Sequence, residues 1–242
     1  MAIARDMNPK SILGLDIDPA LINKAQKSVA QYASRKVPSA MATPNPECLE
    51  PPTRTEQLFP QNLPMIFGPL DPVTQPHQIP QLLPPSLFPN NIKFLCDNYV
   101  LDDDELLSFA QPEFDTILCL STTKWIHLNF GDSGIKRAFK RMFAQLKSGG
   151  VLILEPQGLA SYSKKARKIS TVTKEHFKNM KLMPNQFVEF LTSEVGFSGG
   201  EVIAVPEHSA LGFRRPIHVS FLHGLVRRIL ERFNKTSPAL CN

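Results

Sequence analysis

The chain has 242 residues, 42% of them hydrophobic and 20% charged, which suits one α/β domain with a sizeable core. No apolar run reaches the roughly 18 residues that a membrane helix needs, and residues 1–10 lack the apolar core of a secretory signal. The four cysteines are scattered without a C-x-x-C pair, which argues against zinc and for a reducing compartment, and the net charge of +5 is unevenly spread.

Residues 11–16 (SILGLD) are nearly all apolar and predict a buried parallel strand. Asp18 can cap the next helix and Pro19 suits its first turn; Leu21, Ile22, Ala25 and Val29 then share one face. Residues 37–89 hold fourteen of the 22 prolines and show no sustained period. Repeated proline removes amide donors and fixes φ, so we read this stretch as a disordered insertion, a spacer in preference to a proline-rich ligand. Residues 92–95 predict a second strand, 102–109 a short helix with acids in its first turn, and 114–120 a third buried strand. Ile135, Ala138, Phe139, Met142, Phe143 and Leu146 follow helical spacing, with Gly149 and Gly150 as the expected stop. Residues 151–155 predict a fourth strand. Pro184 opens a helix that turns Phe187, Phe190 and Leu191 inward, and 201–205 and 217–222 predict two late strands. The expected fold class is therefore α/β, a doubly wound and mostly parallel Rossmann-like sheet with an antiparallel edge. We expect a domain over residues 1–222 and a basic amphipathic tail over 223–242, where Leu225, Val226, Ile229, Leu230 and Phe233 form a stripe.

In open α/β sheets ligands bind beyond the carboxyl ends of the strands, and three of those ends are polar here. Asp16 can accept both hydroxyls of a nucleotide ribose. Asn98 and Tyr99 follow the second strand and suit either an adenine contact or a plain turn, the turn being favoured by the residues alone. Lys124, Trp125 and His127 follow the third strand. Lys124 can neutralise a phosphate, and Trp125 either stacks or lies buried beneath a surface lysine, which we favour. His127 suits a phosphate contact and a structural role equally. After the fourth strand, Lys164, Lys165, Arg167 and Lys168 put four cations on an expected loop, suited to a phosphate backbone or simply solvated. Residues 124–181 carry thirteen Lys or Arg against three acids, whereas residues 97–115 carry seven acids and no Lys or Arg. Such segregation suits a polyanion such as RNA. Cys96 and Cys119 read as inert core thiols.

The motifs GLDID (14–18), FPNN (88–91), DNYV (97–100), CLSTTKWIHLNFGD (119–132) and GGVLILEPQ (149–157) occur in that order. They are followed by SYSKK (161–165), LTSEVGFS (191–198) and GFRRPI (212–217). Together they resemble the 7SK snRNA methylphosphate capping enzyme family, and TKWIHLN is its most specific element. The resemblance implies a class I methyltransferase fold and methyl transfer from S-adenosylmethionine to the 5′-terminal phosphate of a small noncoding RNA. It implies cofactor contacts at Asp16, Ile17, Asn98, Tyr99 and Leu120, an RNA 5′ end near Lys124 and His127, and the basic run alongside. Ribonucleoprotein partners and a nuclear location follow from the same resemblance.

Such a reaction needs alignment more than acid–base help, because a sulfonium is already a strong methyl donor and a phosphate oxygen is already anionic. In-line alignment is worth up to about 7–11 kcal/mol, so neither a general base nor a metal is expected. The family opens its domain with a strand and a Gly-rich cofactor loop that have no counterpart here. The expected fold lacks that strand and loop, an incomplete gene model or an internal start is the expected explanation, and a product of this length is expected to be inactive. The alternative function is a non-catalytic RNA-binding scaffold on a degenerate methyltransferase fold.

Overall fold

A computed structural model describes residues 2–35, 87–205 and 214–222. The proline-rich insertion (except 87–89), the first residues of GFRRPI and the amphipathic tail lie outside the described residues. The chain divides into two compact units, Met1–Asp97 and Asn98–Asn242.

In the first unit, α1 (Ala2–Asp6) precedes β1 (Ile12–Asp16), α2 (Pro19–Arg35) and β2 (Ile92–Cys96). β1 and β2 pair in parallel, from Ile12 opposite Ile92 to Asp16 opposite Cys96. A Cβ on Gly14 would come within 2.7 Å of the Phe94 ring, so β1 passes its neighbour too closely for any side chain there. Asp18 caps α2 as expected, its Oδ1 accepting from Ala20 N at 2.8 Å. Asn91 is buried and donates to the Ala4 and Pro9 carbonyls at 3.0 and 3.1 Å, tying α1 to the entry of β2. Two expectations are corrected here. Ile22 is buried but Leu21 is exposed. Cys96 is exposed as well, because it closes β2 at the open end of a two-stranded ladder.

In the second unit, a short 3₁₀ turn (Glu105–Phe109) leads to β3 (Phe114–Leu120), α3 (Thr123–Gln145) and β4 (Leu146–Glu155). Then come α4 (Leu159–Ile169), α5 (Thr171–Lys178), a 3₁₀ turn (Pro184–Gln186) and α6 (Phe187–Phe190), which runs on as a π turn (Leu191–Val195). β5 (Gly200–Ala204) and β6 (Ile217–Phe221) close the unit. The sheet order is β3-β4-β6-β5. β3 and β4 are parallel, and β6 runs antiparallel to both β4 and β5. The α/β class, the parallel pairing and the antiparallel edge are thus as the sequence predicts. Ile135, Ala138, Phe139, Leu152, Leu154 and Phe187 anchor the core, each 0% exposed except where Cys119 at 3% joins them.

Three boundaries differ from expectation. Gly149 and Gly150 do not stop α3, which ends at Gln145; they lie inside β4. Between Phe114 opposite Leu146 and Thr116 opposite Val151 the register slips, and Gly149, at φ 75°, lets β4 absorb the extra residues as a bulge. α3 begins at Thr123, well before the apolar period that announces it. The basic run lies on helix α4 and not on a loop. Among the described side chains of α4, only Tyr162 and Ala166 are buried, a face too narrow to show as a period, while Ser170 ends the helix and caps α5 by accepting from Thr173 N at 3.1 Å.

Candidate functional site

β3 delivers the chain to Ser121, whose φ of 58° is unusual for a residue with a side chain. Three partners hold it there. Ser121 N donates to the Glu155 carbonyl at 3.1 Å, and Gln157 Nε2 donates to the Ser121 carbonyl. Arg215 Nη1 donates to Ser121 Oγ at 2.8 Å and to Glu155 Oε1 at 2.9 Å. Strain of about 1–3 kcal/mol persists at such a residue only when its surroundings over-determine it, and this turn lies where ligands bind in α/β sheets.

The same turn starts α3, and its first amides need acceptors. Thr122 at the N-cap offers no side-chain bond. Gln157 supplies one from the end of β4, its Oε1 accepting from Lys124 N at 3.1 Å and from Thr123 Oγ1 at 3.1 Å. Gln157 is buried, so these bonds are shielded from water. Nothing local announces this, since cap and helix are more than thirty residues apart.

Lys124 is therefore fixed from the backbone outward. The residue is 7% exposed, and its Nζ donates to Ser161 Oγ at 2.8 Å. The ammonium lies 4.8 Å from the Trp125 ring centre, and Lys165 Nζ lies 5.8 Å from the same ring. Burial, with Arg215 and Lys165 nearby, pushes the Lys124 ammonium below the ordinary lysine value. The expected relation is thus reversed: the lysine is buried and Trp125 is 38% exposed. Lys124, Lys165 and Arg215 bring positive charge to one spot, Arg215 being paired there with the Glu155 carboxylate at 2.9 Å.

His127, one turn along, does not face solvent. It is 0% exposed, packed edge-on to Tyr162 at 5.7 Å and beside Phe187 at 5.7 Å. Its Nε2 donates to Asp132 Oδ1 at 2.7 Å, which leaves the unprotonated Nδ1 without a partner among the described residues. Burial lowers the His127 pKa, partly opposed by Asp132. Lys164, Lys165 and Lys168 are exposed on α4, and Arg167 falls on the same helix.

The residues implied for a cofactor divide between the units. In the first unit Asp16 closes β1 and Ile17 is exposed; Asp16 Oδ1 accepts from Asp18 N at 2.9 Å. In the second unit Leu120 is exposed at the end of β3, and Asn98 Oδ1 accepts from Val100 N at 3.0 Å in a turn. Tyr99 is engaged in packing. Its hydroxyl donates to Gln145 Oε1 at 2.8 Å, the Arg141 guanidinium lies 4.6 Å over its ring, and burial raises its pKa. Within the first unit, a carboxylate at a strand end suits the ribose of a nucleotide; Tyr99 in the second is partly buried.

Sequence reasoning found Lys124 and the basic run but gave no role to Gln157, Glu155, Ser121 or Arg215. Arg215 stood in the GFRRPI motif and Gln157 in GGVLILEPQ, so motif membership was the only available signal.

Residues 114–221 match the family described as Bicoid-interacting protein 3 (Bin3). The chain is 40% identical over 226 residues to the 7SK snRNA methylphosphate capping enzyme of Mus musculus, covering 90% of this chain and 33% of that protein. It is 39% identical to the Homo sapiens protein of the same name, covering 90% and 32%. It is also 39% identical over 218 residues to the U6 snRNA methylphosphate capping enzyme Amus of Drosophila melanogaster, covering 90% and 57%. The chain thus spans about a third of the length of the first two relatives and over half of the third. On these matches, residues 114–221 form a Bin3-family region.

Proposed function

We propose that the second unit binds the 5′-terminal phosphate of a small noncoding RNA and serves its methylation by S-adenosylmethionine. The carrying observation is the convergence of Lys124, Lys165 and Arg215 on the turn after β3, in a chain whose relatives are named RNA methylphosphate capping enzymes. The donor supplies a methyl group on a positively charged sulfur, so the phosphate oxygen gains a methyl as the sulfur–methyl bond breaks. Within the first unit, Asp16 at the end of β1, with Ile17 beside it, is suited to the donor's adenosine part. Lys124 holds a phosphate oxygen from a fixed, half-desolvated position, where a charge is worth more than in water. Arg215 sits on the Ser121 turn and adds a second cation. Lys164, Lys165, Arg167 and Lys168 on α4 receive the following phosphates. His127 supports the reading through packing rather than contact, since its ring is enclosed. A nuclear location accords with the small nuclear RNAs in the relatives' names.

The test is transfer of labelled methyl from S-adenosylmethionine to a short RNA, by the 242-residue chain. Selective binding of 5′-phosphorylated over 5′-hydroxyl RNA is the expected result, and any label transferred falls on the phosphorylated RNA alone. No discrimination between the two RNAs would overturn the phosphate assignment.

A further inference from the structure

α3 is not one helix. Gly131, at φ 66° and ψ −168°, breaks it into a segment before the break that carries Lys124 and a segment after it that lies in the core. The first segment needs something to fix its direction, because the backbone ladder does not run through the break. Asp132, the residue after Gly131, meets that need. Its Oδ1 accepts from His127 Nε2 at 2.7 Å, reaching back across the break. Its Oδ2 accepts from Lys181 N at 2.9 Å and Leu182 N at 3.0 Å, reaching the loop before the Pro184–Gln186 turn. One carboxylate thus joins the lysine-bearing segment, the core segment and a third element. Burial alone would raise the pKa of Asp132; the bonds from His127 and from the two amides outweigh it, so the carboxylate is held ionised. Gly131 leaves room for His176 at the same corner, where a Cβ would lie 3.3 Å from its ring, and His176 Nδ1 donates to the Leu128 carbonyl at 2.9 Å.

We infer that Asp132 is a positioning residue for Lys124, acting through His127, and that it sets selectivity for a terminal phosphate without touching it. The inference rests on the phosphate reading of Lys124. His127 lies three residues after Lys124, one helical turn on, so a shift of its ring moves the base of the lysine side chain with it. A change of about 1 Å in a positioned charge suffices to lose much of its effect.

The experiment measures binding of the 242-residue chain to one single-stranded RNA carrying either a 5′-monophosphate or a 5′-hydroxyl. The ratio of the two affinities is the readout, because loss of folded protein cancels from it. Lys124→Met abolishes the preference. Asp132→Asn keeps the shape of the side chain but removes its charge, and cuts the preference about tenfold, as losing one charge-assisted contact does. His127→Leu fills the apolar surroundings without reaching Asp132 and gives the same loss, which covers the case in which Asp132→Asn fails to fold. His127→Gln offers Asp132 an amide donor and restores the preference. Phe139→Leu lowers stability away from this corner and leaves the ratio intact.

A wild-type chain without a 5′-phosphate preference overturns the reading of Lys124, and the inference with it. A preference lost in Lys124→Met but kept in Asp132→Asn and His127→Leu overturns the positioning role alone. So does an equal loss in Phe139→Leu, which would make selectivity a consequence of stability.

Discussion

On either side of Gly131, α3 is held differently. Before the break, Thr123, Lys124 and His127 are buried, each with a polar partner at a fixed distance, alongside the apolar Ile126 and Leu128. After it, Ile135, Ala138, Phe139 and Met142 are buried among Leu152, Leu154, Phe187 and Leu191. The later segment is held by apolar contact, which is non-directional and tolerates small movements. The earlier one adds to the apolar contacts of Ile126 and Leu128 bonds that fail if either partner moves, and each polar group left unpaired costs about 1–3 kcal/mol. One segment therefore stabilises the unit, while the other fixes the position of a charge.

The largest expected effect is in the core segment. Phe139 is 0% exposed and lies edge-on to Phe187 at 5.2 Å. Phe139→Ala removes a buried ring and leaves a cavity, costing about 3–5 kcal/mol. Chemical denaturation measures it. A loss under about 1 kcal/mol would mean that the core collapses around the gap.

Next is the break itself. Gly131→Ala forces a side chain into a φ of 66° and to within 3.3 Å of His176. We expect about 1–3 kcal/mol of destabilisation from the backbone alone. Thermal unfolding of the variant tests it, and an unchanged midpoint would show that the break relaxes into continuous helix.

Acid acts on the polar segment. Burial holds His127 below its ordinary 6.5, so as pH falls below that value the unfolded chain takes up a proton that the folded chain refuses. Stability then drops, by at most about 1.4 kcal/mol per pH unit for one proton, and levels off once His127 protonates in the fold. Asp132, held below 3.8, adds stability that is present above that value and lost as pH falls through its folded pKa. Both groups destabilise toward acid, in two successive windows. His218 is also lowered by burial and contributes to the first. The check is the pH dependence of unfolding in His127→Gln, which should flatten the decline just below pH 6.5 but not remove it. An unchanged profile would mean that His127 titrates freely.

The contrast within α3 also separates what sequence could disclose from what it could not. Ile135, Ala138, Phe139 and Met142 repeat at helical spacing, so the core segment and its strands were legible, as was the α/β class. Lys124 was legible as a cation at a strand end. The burial of Lys124, and with it the exposure of Trp125, was not, because Ser161 and Gln157 that enclose it come from another part of the chain. The basic run looked like a loop because, among its described side chains, α4 buries only Tyr162 and Ala166. Gly149 and Gly150 looked like a stop because a bulge and a helix end call for the same residue. Asp132 looked like one more polar residue in NFGD; only the fold brings Lys181 and Leu182 to its second oxygen.

The smallest expected change in stability is the most telling about purpose. Among the described residues the Lys124 ammonium has a single hydrogen bond, to Ser161, and is buried near two other cations that lower its affinity for a proton. Desolvation and repulsion weigh against that bond and the Trp125 contact, and in water such terms nearly cancel. Methionine keeps the aliphatic stem and the packing while removing the charge. Lys124→Met should therefore shift unfolding free energy by no more than about 0.5 kcal/mol, with stabilisation as probable in sign as loss. A loss above about 2 kcal/mol would show that the lysine serves the fold, and its burial would then say nothing about an anion. The expected outcome joins an unchanged denaturation midpoint to the lost preference for 5′-phosphorylated RNA. A residue that is buried, fixed and costly, yet dispensable for folding, is held in place for something the chain binds.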